Sequence, residues 1–150
     1  MVTIGLQMLD LLEKFHEQGF VHCDLKPGNI MIGDYTKDPK AMNQLYLIDF
    51  GLSQRYLDDK GKHIPMSTKV PFKGNLIYSS KHAFQNLTLS RRDDIISLAY
   101  FLIFRINSNQ SWIDYQRPIS EQYKEIGIFK IQTSAKKFCD NETKVLSPLL

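Results

Sequence analysis

Residues 19–32 read GFVHCDLKPGNIMI and set His22, Asp24, Lys26 and Asn29 between two apolar flanks. Pro27 and Gly28 exclude regular helix, and the Pro27 ring pushes Lys26 toward extended geometry. The stretch is therefore a loop, the part of a scaffold that most often presents reactive groups. Upstream, Ile4, Met8, Leu11, Leu12 and Phe15 recur at three- and four-residue intervals. That spacing predicts an amphipathic helix from residue 4 to about 18, with Gly19 as its stop signal. Downstream, NIMI (29–32) and LYLID (45–49) read as short β-strands. The polar stretch GDYTKDPKAMNQ between them, with turn residues Gly33, Asp34 and Pro39, makes a hairpin with a long tip. It carries no functional expectation of its own.

From residue 50 to about 76 the chain is punctuated by Gly51, Gly61, Pro65, Pro71 and Gly74, which predicts one long irregular loop. Ser90 followed by Asp93 resembles a capping box and opens the next helix. Its body, IISLAYFLIFRI (95–106), is apolar on every face, as expected of a helix buried at the centre of a domain. A bilayer crossing needs about 20 apolar residues, and Arg105 interrupts this shorter run. A third, amphipathic helix is expected over residues 121–132, and SAKKFCD (134–140) adds a short helical turn. Trp112 and Phe104 are expected in the core.

The chain has 150 residues, 43% of them apolar and 23% charged. A chain of this length can bury about 70% of its unfolded surface around a single core. The net charge of +3 comes from 19 basic and 16 acidic residues spread along the sequence, which gives no basic stripe for nucleic acid. Arg91 and Arg92 are followed at once by Asp93 and Asp94 and read as a solvated helix start. Cys23 and Cys139 lack the spacing of a zinc site or a disulfide framework. A reducing, intracellular setting, cytoplasmic or nuclear, is expected. The start MVTIGLQMLD has no secretory pattern, so the mature chain is expected to begin near Met1. Cys23 beside His22 is not read as a nucleophile, because sequence neighbours point apart; a packed cysteine is the expectation.

The loop pattern His22-x-Asp24-x-Lys26-x-x-Asn29 is followed, at the end of the second strand, by Asp49-Phe50-Gly51. Phosphoryl transfer asks a protein to position the nucleophile and neutralise charge on the moving phosphoryl group. Asp24 suits the first task by accepting a hydrogen bond from the attacking hydroxyl, and Lys26 places a cation for the second. Asn29 and Asp49 supply the hard oxygen ligands that Mg²⁺ prefers. Gly51 lets the backbone leave such a site sharply.

These two motifs together resemble the catalytic and metal-binding loops of eukaryotic protein kinases. The stretches LIDFGLSQRYLD, HIP and SRRDDIISLAYFL, with Trp112, are similar to the casein kinase I family over about residues 3 to 125. The resemblance implies a serine/threonine kinase acting on protein substrates, with ATP and Mg²⁺ as cofactors and neither nucleic acid nor membrane as partner. Asp24 would be the catalytic base, Lys26 the phosphate contact, and Asn29 and Asp49 the magnesium ligands. Asp94 would hydrogen-bond the backbone of the catalytic loop, while His22 and Phe50, beside Gly51, would be structural supports. The family usually has arginine at Cys23, so control through a phosphorylated activation loop is not expected. Asn75 and Ile77 stand where threonine and arginine are usual, and Tyr123, beside Lys124, replaces a basic residue. The resemblance therefore does not carry over the family's preference for substrates that are already phosphorylated.

The implied fold is α+β and predominantly helical: a kinase C-lobe, residues 1–150, with a small β-hairpin carrying both loops. The resemblance also implies a kinase N-lobe with a glycine-rich phosphate loop, a strand lysine and its partner glutamate, which the 150 residues themselves do not contain. The expectation is thus an N-lobe that is absent, or supplied upstream or separately, and closing helices cut short. On this reading the isolated chain has little or no kinase activity. The alternative is a non-catalytic, kinase-derived interaction module or a truncated gene product.

Overall fold

The computed structural model describes residues 2–34, 36, 41, 43–108, 110–139 and 144–150. Helix α1 (Val2–Glu17) turns Met8, Leu12 and His16 inward, as the apolar spacing requires. It stops at Gly19, whose φ of +83° is a left-handed conformation that glycine adopts without strain. β1 (Phe20–Val21) then leads into the motif loop. Pro27 starts a short 3₁₀ turn (Pro27–Asn29), so Asn29, expected in the strand, ends the turn instead.

The hairpin follows as expected: β2 (Ile30–Ile32) pairs antiparallel with β3 (Leu45–Leu47), setting Ile30 opposite Leu47. Strand β3 ends at Leu47, two residues before the expected boundary, since Asp49 sits at φ +61° and cannot continue it. Within the tip, residues 35, 37–40 and 42, including the turn residue Pro39, lie outside the described residues. A second small sheet was not legible in the sequence: β1 pairs antiparallel with β4 (Gln54–Arg55), joining Phe20 to Arg55 and Val21 to Gln54. The expected irregular loop is thus anchored at its start, and an isolated bridge between Leu57 and His63 follows.

Helix α2 (Lys81–Phe84) is one turn long and precedes α3 (Arg91–Ile106). At the start of α3 the Asp93 carboxylate accepts the Ser90 N–H at 2.7 Å. Burial alone would raise the pKa of Asp93, but hydrogen bonds from His82, Ser80 and the Ser90 amide hold it below the ordinary carboxylate value. Ten residues of α3 are buried, which makes it the axle of the molecule. One side packs Leu98, Phe101 and Leu102 against Met8 and Leu12 of α1. The other packs Ile96, Tyr100 and Ile103 against Phe138, with Trp112 and Phe129 alongside. Truncating a buried leucine such as Leu98 to alanine would cost about 2–5 kcal/mol. Among the described residues no helix is long and apolar enough to cross a membrane.

Helix α4 (Tyr123–Gln132) begins after a 3₁₀ turn (Ile119–Gln122), and α5 (Ala135–Phe138) is the short turn expected near residue 134; Asp140 lies outside the described residues. The third helix departs from simple amphipathicity. Its buried residues are Ile126, Gly127 and Lys130, while Ile128 and Ile131 are exposed. Tyr123 joins an aromatic cluster with Phe72 and Phe84, with ring centres 5.2 and 5.3 Å away.

Candidate active site

The motif loop is held from beneath by one carboxylate. Asp94 Oδ2 accepts the His22 N–H at 2.8 Å and lies 2.8 Å from His16 Nε2, and Oδ1 accepts the Cys23 N–H at 2.9 Å. Asp94 is almost fully buried, so these bonds are not shared with solvent. They hold Cys23 at φ +67°, a left-handed conformation costly for a non-glycine residue and common beside functional groups. His16 in turn is tied to the core through its carbonyl, which accepts the Tyr56 hydroxyl at 2.8 Å.

Above that anchor, three of the sequence-selected side chains converge. Lys26 Nζ lies 2.6 Å from Asp24 Oδ2. Asn29 Nδ2 donates to the same oxygen at 3.1 Å and to the Asp24 carbonyl at 2.8 Å. Both amide hydrogens of Asn29 are thereby committed, and its side-chain oxygen stays outside these bonds. Asp24 is buried and Lys26 half-buried, so the pair combines a fixed carboxylate with a cation able to move.

His22 links this loop to Asp49-Phe50-Gly51. Its Nδ1 accepts the Asp24 N–H at 3.3 Å, which leaves Nε2 to carry the proton and donate to the Ile48 carbonyl at 3.1 Å. The His22 ring meets Phe50 edge-on at 5.5 Å, and Phe50 stacks on Phe15 at 5.0 Å. Asp49 is exposed, and its Oδ1 accepts the Gly51 N–H at 3.3 Å. A shallow cavity of about 310 Å³ opens beside Phe50, between Leu11, Phe15 and Tyr46. Among the described residues no group of three or more His, Cys, Asp and Glu could hold a metal. Asn29 and Asp49 nonetheless provide two hard oxygens with capacity left, as suits Mg²⁺, which keeps several waters and takes few protein ligands.

Cys23 is a buried free thiol that faces the Val21 carbonyl at 3.7 Å. Burial and then the charge of Asp94 push its pKa up to about 12. At pH 8 its thiolate population is expected to be roughly a thousandfold below that of an exposed cysteine. In a Cys139→Ser background, native alkylation of Cys23 should be slower than in urea by at least that factor; equal rates would contradict the burial. Arg91 lies over the Tyr56 ring at 5.0 Å, and Arg92 lies 3.5 Å from Asp93. Trp112 stacks on Phe129 at 5.6 Å and meets Phe104 edge-on at 5.7 Å, with its Nε1 buried and unpaired.

The protein kinase domain family model matches residues 1–148, and the chain belongs to that family. Within it, the resemblance read from the sequence holds: this is a member of the casein kinase I family. A casein kinase 1-like protein of rice (Oryza sativa subsp. japonica) is 40% identical over 117 residues, 75% of this chain and 16% of the relative. A probable casein kinase I homolog of Encephalitozoon cuniculi (strain GB-M1) is 35% identical over 141 residues, 91% of this chain and 41% of the relative. The chain thus spans less than half the length of either relative.

Proposed function

We propose that the chain is the C-terminal lobe of a casein kinase I-like serine/threonine kinase and transfers the γ-phosphate of ATP to protein hydroxyls. The observation that carries this reading is the convergence of Lys26 and Asn29 on Asp24 Oδ2 in a loop whose backbone is pinned by Asp94. With Oδ2 engaged, Asp24 Oδ1 is the acceptor for a substrate hydroxyl and orients its oxygen for attack. Lys26, bound to Asp24 by a single contact, turns its ammonium to the transferring phosphoryl oxygens. Asn29 and Asp49 are the residues that would hold Mg²⁺, whose contribution is neutralisation of phosphate charge. His22 and Phe50 keep the two loops in register, and Asp94 keeps Asp24 in place.

The nucleotide would be covered by an N-terminal lobe. Exposed Met31 and Tyr46 on the hairpin, with exposed Ile48, Phe50 and Leu52 in the segment that follows it, support this, because so much exposed apolar surface calls for a covering partner. The same surface favours a second reading, a kinase-derived lobe that docks on protein partners without catalysis.

Phosphate incorporation from Mg-ATP into an acidic protein separates the two. The 150 residues alone should show activity at least about 10²-fold below the same residues fused behind an N-terminal kinase lobe, since the roof donors such a lobe supplies act on the phosphates. An inactive fusion that still binds nucleotide would favour the docking module. Full activity of the 150 residues alone would overturn the need for the covering lobe.

A further inference from the structure

Lys130 is the largest side chain among those fully buried, and it lies in no loop singled out for catalysis. Its ammonium reaches the Leu76 carbonyl at 3.2 Å, the Ile77 carbonyl at 2.5 Å and the Ser79 carbonyl at 2.6 Å. Three acceptors match the three N–H bonds of a protonated lysine, whereas a neutral amine has only two. Nζ also lies 4.1 Å from the centre of the Tyr100 ring, 5.3 Å from that of Trp112 and 5.5 Å from that of Phe84. Burial pulls the pKa of Lys130 well below the ordinary lysine range, and the carbonyls and ring faces work in the opposite direction. Among the described residues no carboxylate pairs with it. A buried charge without a counter-ion is expensive, and packing alone would be served as well by methionine.

The carbonyls that Lys130 gathers belong to a segment in contact with the motif loop. Asn75 folds that segment into a turn: its Oδ1 accepts the Ile77 N–H at 2.8 Å and its carbonyl accepts the Ser79 N–H at 2.9 Å. Gly74, at φ +103°, lies so close to the loop that an added Cβ would stand 2.6 Å from the Cys23 carbonyl oxygen and 2.5 Å from Ser79 Oγ. Cys23 immediately precedes Asp24. A continuous line of contacts therefore runs from Lys130 to Ser79, Gly74, Cys23 and Asp24.

We propose that Lys130 is a positioning residue, a cationic clamp from α4 that fixes the 74–79 turn against the loop bearing Asp24. Its kinetic consequence rests on the kinase reading above. The turn abuts Cys23, next to Asp24, so on that reading the clamp shapes one side of the place where a substrate hydroxyl would meet Asp24.

The clamp itself is testable without any activity, on the 150-residue chain. In Lys130→Met, amide exchange of Ile77, Tyr78 and Ser79 should accelerate at least about tenfold more than that of the α1 amides facing Leu98. Lys130→Arg, which keeps the cation, should restore part of the protection. Uniform acceleration across α1, α3 and the turn would reduce Lys130 to general stability and overturn the proposal, as would no change at all. If Lys130→Met fails to fold, hydrogen-bond couplings between Lys130 Nζ and the carbonyl carbons of residues 76, 77 and 79 decide the matter in the parent chain; their absence would overturn the clamp. In the active fusion, Lys130→Met should raise the KM for the protein substrate about tenfold with the KM for ATP unchanged. Local loosening with no phosphoryl transfer from the parent fusion would support the clamp and remove the kinase reading; unchanged exchange would remove the clamp whatever the activity.

Discussion

Replacing Asp94 with alanine is expected to cost about 3–5 kcal/mol of stability, the range found when one partner of a buried ionic or hydrogen-bonded set is removed. The carboxylate serves the backbone N–H groups of His22 and Cys23 and the ring of His16, at 2.8, 2.9 and 2.8 Å. Without it two buried amide donors are left unsatisfied, each costing about 1–3 kcal/mol, and His16 loses its side-chain partner. Cys23 also loses the bond that offsets its left-handed backbone. A domain of ordinary stability, about 5–15 kcal/mol, would then be near its limit. The urea midpoint should fall sharply with the slope unchanged. A shift below about 1 kcal/mol, the net worth of one ordinary hydrogen bond, would show that the loop holds its shape without this anchor.

Asp24→Asn should leave the fold intact and abolish transfer. The substitution keeps the size of the side chain and the Asn29 contact to the Asp24 carbonyl, but an amide cannot take a proton from a hydroxyl. Loss of a positioned base typically costs about 10²–10⁴ in rate, so a fall of roughly a thousandfold in kcat of the active fusion is expected, with the KM for ATP little changed. Retention of most of the parent rate would remove Asp24 from the role of base and shift attention to Asp49. Thermal unfolding of the same sample guards against a trivial explanation, because the variant should melt within a few degrees of the parent.

The elements legible in the sequence are those whose signal is local. Helix α1 follows from the spacing of Met8 and Leu12, and the start of α3 from Ser90 and Asp93. The β2/β3 hairpin follows from two short apolar runs either side of a polar stretch. The pairing of β1 with β4 has no such signal, since two residues cannot display a period and the partner lies more than thirty positions away. Nor does α2, a single turn whose residues carry no repeated spacing.

In the site, the residue types and their spacing singled out Asp24, Lys26, Asn29 and Asp49, but not the geometry among them. The left-handed backbone at Cys23 and Asp49 carries no glycine to announce it. Lys130 was unreadable for a different reason. In a helical pattern a lysine marks the solvent face, and only the folded backbone of residues 76–79 supplies the carbonyls that make its burial tolerable.

The anchoring of the motif loop also sets an order of events during folding. The residues that give the loop its shape, His16, His22 and Cys23, lie 78, 72 and 71 positions before Asp94. Closing a chain of that length costs an entropy that no local contact repays, so the loop gains its shape only once α3 has docked on α1. On a ribosome the same rule becomes a delay: the reactive segment emerges early and stays unformed until Asp94 has been synthesised and released from the exit tunnel. A nascent chain halted before that point would carry every residue of the motif without the carboxylate that anchors its backbone.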